Sequence, residues 1–198
     1  MGINLAERGY NDVNAATPGE FSQLPAGGYV CRIINAEITK SKAGNEMLVL
    51  FIDVAQGDFA GYFKAEYDRV KNFTPNRWVN SGTYRQLLFD NAGRVSSFFK
   101  GLMTCFEKSN PNFKLNINIF EAETLRGKLI GFVFAEDEYQ KQNGDVGTRI
   151  SAKFPKTVED IQIGNFKVPD KKKLQPAKSD SSGDIFAGTP VTQDDLPF

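Results

Sequence analysis

Tyr29-Val30-Cys31-Arg32-Ile33-Ile34-Asn35-Ala36-Glu37-Ile38 and Met47-Leu48-Val49-Leu50-Phe51-Ile52-Asp53-Val54, joined through Lys40-Ser41-Lys42-Ala43-Gly44-Asn45, decide the fold. Both flanking runs are dense in β-branched and other apolar residues, which suit a pleated, half-buried surface. The joining segment is short, polar and glycine-bearing, so the three together read as a β-hairpin. Next, Gly57 to Gly61 turns the chain into Tyr62-Phe63-Lys64-Ala65-Glu66-Tyr67. Its alternation sets Phe63, Ala65 and Tyr67 against Tyr62, Lys64 and Glu66, the pattern of a third strand.

Further on, Val95, Phe98, Phe99, Leu102, Met103 and Phe106 lie on one stripe of an amphipathic helix. A short helix is expected at Asn118, with Glu121 as its capping partner and Gly127 as its stop. Lys128 to Glu136 reads as a fourth strand. After Asn143-Gly144 comes a fifth, Thr148 to Phe154, ended by Pro155. The order βββ-α-ββ, with Asp68 to Asn91 inserted before the helix, is a mainly β class with α: a five-stranded oligonucleotide-binding barrel, or OB-fold.

The expected organisation is a flexible arm over residues 1–23, the barrel domain over 24–170, and a disordered linker and acidic tip over 171–198, opened by Lys171-Lys172-Lys173. A chain of 198 residues that is 40% hydrophobic can bury one good core. The zero formal charge hides a partition: residues from Ser179 onward carry four acids and no base, which leaves the preceding part net +4. No run approaches the ~18 apolar residues of a membrane span, and no basic-then-apolar leader opens the chain. Cys31 and Cys105 have apolar neighbours and no ligand spacing, so free thiols are expected. A cytoplasmic protein, without cofactor or metal and not membrane-bound, is the reading that follows.

On the OB-fold, the face of strands two and three and the loops one-two and four-five touch the ligand. Those loops carry Lys40, Lys42 and Lys141. Phe51, Lys64, Arg149 and Lys153 come from the strands; in the fifth, Arg149, Ser151 and Lys153 alternate outward against Ile150, Ala152 and Phe154. The inserted segment interleaves Tyr67, Phe73, Trp78, Tyr84 and Phe89 with Arg69, Lys71, Arg77 and Arg85. Bases stack on aromatic faces and phosphates need a row of positive charge, so this mixture suits single-stranded nucleic acid bound without sequence preference. Trp78 is the preferred stacker, set against a reading in which the segment's rings pack as a lid on the barrel.

The last residues, Asp194-Asp195-Leu196-Pro197-Phe198, resemble the acidic tip of bacterial-type single-stranded DNA-binding proteins. The blocks Leu24-Pro25-Ala26-Gly27-Gly28-Tyr29, Gly57-Asp58-Phe59-Ala60-Gly61, Phe99-Lys100-Gly101, Glu107-Lys108-Ser109-Asn110-Pro111, Leu125-Arg126-Gly127-Lys128-Leu129-Ile130-Gly131 and Phe166-Lys167-Val168-Pro169 resemble those of phage-encoded replication-module proteins, a family that includes single-stranded DNA-binding proteins. The resemblance implies an oligonucleotide-binding fold and a role in phage DNA replication or recombination in an infected bacterial host. It also implies a tip, Asp194 to Phe198, that recruits replication or recombination proteins through its ring, acids and terminal carboxylate.

Homo-oligomerisation stays open. Two other classes compete: a protein-only replication adaptor, and a nuclease that holds magnesium on Glu136-Asp137-Glu138. The chain has no histidine, which removes Ser-His-Asp and Cys-His nucleophilic systems. The three acids sit where a hairpin begins to turn, consecutive residues of a strand point to opposite sides, and a solvated loop edge fits them better than a metal site. No enzymatic activity is expected.

Overall fold

The structure, a computed structural model, describes Asn4, Glu7 and residues 23–71, 77–141 and 143–174. It is mainly β: five antiparallel strands and three helices. The strands are β1 (Gly27–Lys40), β2 (Glu46–Val54), β3 (Thr83–Leu87), β4 (Leu129–Gln140) and β5 (Val146–Lys156), and the helices are α1 (Tyr62–Val70), α2 (Ser97–Ser109) and α3 (Val158–Gln162). The sheet order is β3-β2-β1-β4-β5. β1 is long enough to pair with β4 over Gly27 to Arg32 and with β2 over Cys31 to Lys40, with an irregularity between Ile33 and Asn35. The ladder does not close into a barrel, although Cα atoms of the edge strands β3 and β5 come within 8 Å of one another.

The core lies on one side of this sheet. Leu48, Leu50 and Ile52 of β2 meet Ile130, Phe132 and Phe134 of β4, and α2 inserts Phe99, Leu102, Met103 and Phe106. These helix residues are part of the stripe read from the sequence; Val95, its first member, is exposed ahead of the helix.

The third strand is not where alternation put it. Tyr62 to Val70 is a helix, and β3 lies inside the segment read as an insertion. The same residues fit both periods, since Phe63, Tyr67 and Val70 also recur at helical spacing. Two contacts decide for helix. Gly61 takes a left-handed φ of 79°, which turns the chain sharply out of β2. The Asp53 carboxylate, at the end of β2, accepts from the backbone N–H groups of Phe63 (2.9 Å) and Lys64 (3.3 Å), filling orphan donors of the first turn. Phe63 then drops fully into the core and stacks on Phe134 at 5.7 Å. The helix expected at Asn118 is a 3-10 turn at Ala122–Leu125.

The linker boundary also moves. After α3 the chain crosses the outer face of β1 and β4 as a strap. Phe166 and Ile161 press on Gly28, and Ile161 and the Thr157 carbonyl press on Gly131, so closely that a Cβ at either glycine would clash. Lys172 then pairs beside Asp137: its N–H donates to the Glu136 carbonyl (3.0 Å) and its carbonyl accepts from the Glu138 N–H (2.9 Å). Lys171, Lys172 and Lys173 thus belong to the folded body, because β4 outruns β1 and offers a free edge there. The arm over residues 1–23 lies almost wholly outside the described residues, as does all that follows Leu174, the tip included.

Candidate nucleic-acid interface

With Leu48, Leu50, Ile52 and Val54 turned inward, Met47, Val49, Phe51 and Asp53 of β2 lie on the other side, where Val49 and Asp53 are nevertheless buried and Met47 and Phe51 half-buried. In β3, Tyr84 is core, so Thr83, Arg85 and Leu87 face out beside them. The register makes three cross-strand rows, Met47–Leu87, Val49–Arg85 and Phe51–Thr83, continued onto β1 by Thr39, Glu37 and Asn35. Phe51 is half-buried, and Arg85 is exposed without an ion pair among the described residues. At the Met47 end the hairpin loop is closed by Ser41 N–H to Asn45 O (2.8 Å) and carries exposed Lys42, with exposed Lys40 just before it. At the other end exposed Arg77 leads into Trp78, which is anchored beside Ile52. From Met47 to Ile52 is roughly 17 Å at ~3.4 Å per residue. Cations therefore flank an aromatic ring along one ladder.

Other expected contacts fall elsewhere. Tyr84 is 8% exposed, packs on Phe132 at 4.8 Å and donates its hydroxyl to Gln86 Oε1, so it is core and no DNA contact. Burial pushes its phenol pKa well above the ordinary value. Trp78 serves the lid reading: its indole N–H reaches the carbonyls of Gly82 (3.0 Å) and Ile52 (3.3 Å), and one ring face is stacked on Tyr67 at 5.1 Å. Phe73 lies outside the described residues. Lys64 and Lys71 both pair with Asp68 on α1, where Arg69 is exposed.

Lys153 points outward as its alternation requires, yet it is buried there. It is 7% exposed, and its ammonium is held by the Asp137 carboxylate, which also accepts from Ser151 Oγ. Arg149 is exposed and lies over the Tyr139 ring at 5.6 Å. Lys141 is exposed in the β4–β5 loop; the register, with Gly27 opposite Phe134, puts that loop at the opposite end of β1 from Lys40 and Lys42. The structure places Phe51 and Arg85 on one face, with Lys42 in the loop beyond one end and Arg77 beyond the other, while Lys40, paired with Glu46, falls on the opposite side of the ladder; Met47, Thr83 and Leu87 are neighbours that the sequence reading passed over. The third strand's own signal, an Asn80-Ser81-Gly82 turn ahead of an alternating run, would have found the last two.

The acids of the nuclease alternative are engaged with lysines: Asp137 with Lys153, and Glu136 and Glu138 with Lys171 at 3.6 and 3.4 Å. Asp53, the other buried carboxylate, is pushed above the ordinary range by burial, against the pull of its backbone hydrogen bonds. A raised carboxyl pKa adds stability below the unfolded value of ~4 and loses it as pH rises through the folded value. Asp53→Asn keeps the acceptor without the charge. In urea melts at pH 7 it should match or exceed the parent, the gap closing below pH ~4, whereas Asp53→Ala should lose about 1–2 kcal/mol with its cap.

Residues 10–93 match a family described as a protein of unknown function (DUF669). That span takes in β1, β2, α1 and β3, hence the whole outer face built above, and stops short of α2. No curated protein matches the chain. Among the described residues, no helix is long and apolar enough to cross a membrane.

Proposed function

We propose that the protein binds single-stranded DNA without sequence preference on the outer face of β2 and β3, as a non-enzymatic component of a phage replication or recombination module. The observation that carries this reading is the partly exposed Phe51 ring, one row from an Arg85 guanidinium without an ion pair among the described residues, with Lys42 in the loop beyond one end of the ladder and Arg77 beyond the other. A ring that can stack a base, set in a line of cations that can follow phosphates, is the minimal equipment for a single strand. The face offers no helix shaped to read a duplex groove.

The finer fold reading, an OB-fold, draws support from the topology. β1 pairs with both β2 and β4 and the edges β3 and β5 approach each other, as in a partly open five-stranded barrel whose strand two–three face and one-two loop meet the ligand. The phage setting and the recruitment of partner proteins by Asp194 to Phe198 rest on the sequence resemblance alone.

Titrating labelled oligo-dT against the protein at increasing salt tests the proposal, with a duplex of equal length beside it. The expected result is preference for the single strand, affinity falling as salt rises, and a loss of ~1–3 kcal/mol for Phe51→Ala as one stacked base is forfeited. Equal affinity for duplex, or indifference to both salt and Phe51→Ala, refutes it.

A further inference from the structure

Gly101 stands at the fifth position of α2, where glycine is a poor choice because it adds backbone entropy to the unfolded chain and has no side chain to pack. Where crowding demands glycine, a Cβ meets a neighbour, as at Gly131. At Gly101 a Cβ meets nothing within 4 Å, and its φ is not left-handed. Neither packing nor backbone conformation accounts for it. Gly101 instead floors a groove of about 440 Å³ between α2 and the facing edges of β3 and β5, walled by Arg85, Phe98, Cys105, Phe154 and Pro155 among others. A side chain at position 101 would stand in that space.

We propose that this groove receives a nucleobase of the bound strand, an inference that rests on the single-strand reading above. Its volume lies in the range of small-molecule sites, ~300–1,000 Å³. Its walls are mainly apolar and include the half-buried rings of Phe98, Phe154 and Pro155, which suit a flat aromatic guest. Arg85 belongs to both places. It stands on the outer face opposite Val49, one row from Phe51, and it also lines the groove. A phosphate held there would hand one neighbouring base to Phe51 and the next to the groove. The polar ends of Gln86 and Lys153, which also line the groove, are already spent: Gln86 donates to the Leu87 carbonyl and accepts from Tyr84, and the Lys153 ammonium is taken by Asp137. The groove therefore stacks a base without reading its edge, in keeping with binding that ignores sequence.

Gly101→Leu fills the groove while improving helix propensity, so the full-length variant should melt at or above the parent's temperature. Its affinity for labelled oligo-dT should fall roughly 5- to 100-fold, the worth of one stacked base. As a measurement that needs no variant, ultraviolet cross-linking of the unaltered protein to an oligonucleotide carrying 5-iodouracil should give adducts at Phe98 or Phe154 by mass spectrometry. If Gly101→Leu binds oligo-dT as tightly as the parent, or the adducts form at Phe51 and not in the groove, the base pocket is overturned and the single-strand reading stands. If the parent binds no single strand at all, both fall.

Discussion

Lys153→Met is expected to lower stability by about 3–5 kcal/mol, the cost of leaving a buried charge without its partner. Lys153 and Asp137 face each other on the outer side of β4 and β5, and both residues are buried. Methionine keeps much of the lysine stem's volume, so the loss would be electrostatic and not a packing defect. Burial drives the Asp137 pKa up, but hydrogen bonds from Lys153 and Ser151 and the lysine charge outweigh it, and the carboxyl is held below its ordinary value. A lowered carboxyl pKa contributes stability that is present above the unfolded value of ~4 and is lost as pH falls through the folded value.

The parent should therefore weaken in acid through this pair, and Lys153→Met should show less of that loss, because its unpaired Asp137 gains by protonation. The double change Asp137→Leu with Lys153→Met should recover most of the deficit, as apolar pairs of similar size can replace a buried ion pair. Chemical unfolding at pH 7 and at pH 4 decides the matter. A Lys153→Met protein as stable as the parent at pH 7 would mean that the ammonium is solvated after all and available to a ligand, as its place in the strand had suggested.

Gly131→Ala carries the second large effect, about 3 kcal/mol, at the upper end of the cost of overpacking. The added methyl would lie 2.7 Å from the Thr157 carbonyl oxygen and 3.0 Å from that of Lys156, with Ile161 closer still. Backbone atoms cannot swing aside as a side-chain tip can. β4 is also pinned on both sides there, since Gly131 pairs with Val30 of β1 and with Lys156 of β5. Relief has to come from lifting α3, whose Ile161 side chain presses on both Gly131 and Gly28. Amide hydrogen exchange should show protection lost first over Thr157 to Leu174. Removing the Ile161 side chain in the same protein should restore only part of the stability, because the carbonyls remain. If Gly131→Ala melts like the parent, the close packing of α3 on β4 is disproved.

The hairpin of β1 and β2 and the stripe of α2 could be read from the chain alone, because each satisfies one period unambiguously and runs long enough to exclude the other. Tyr62 to Tyr67 could not. Its residues fit a strand and a helix about equally, and the helix is selected by Asp53, ten residues earlier in the chain, whose carboxylate reaches the first-turn N–H groups only once β2 has formed.

A similar limit governed the candidate site. That Lys40, Lys42 and Arg85 are exposed cations, and that Phe51 sits on the outward side of its strand, follow from alternation and turn chemistry, both local properties. Alternation equally turned Lys153 outward, and correctly so. It cannot say whether that side is open to solvent, and Lys153 is buried there against Asp137, a residue of the neighbouring strand. Side-chain direction is written in the sequence because it depends on neighbours one or two bonds away. Exposure was decided by the tertiary structure, because burial depends on which remote segment arrives to cover the face.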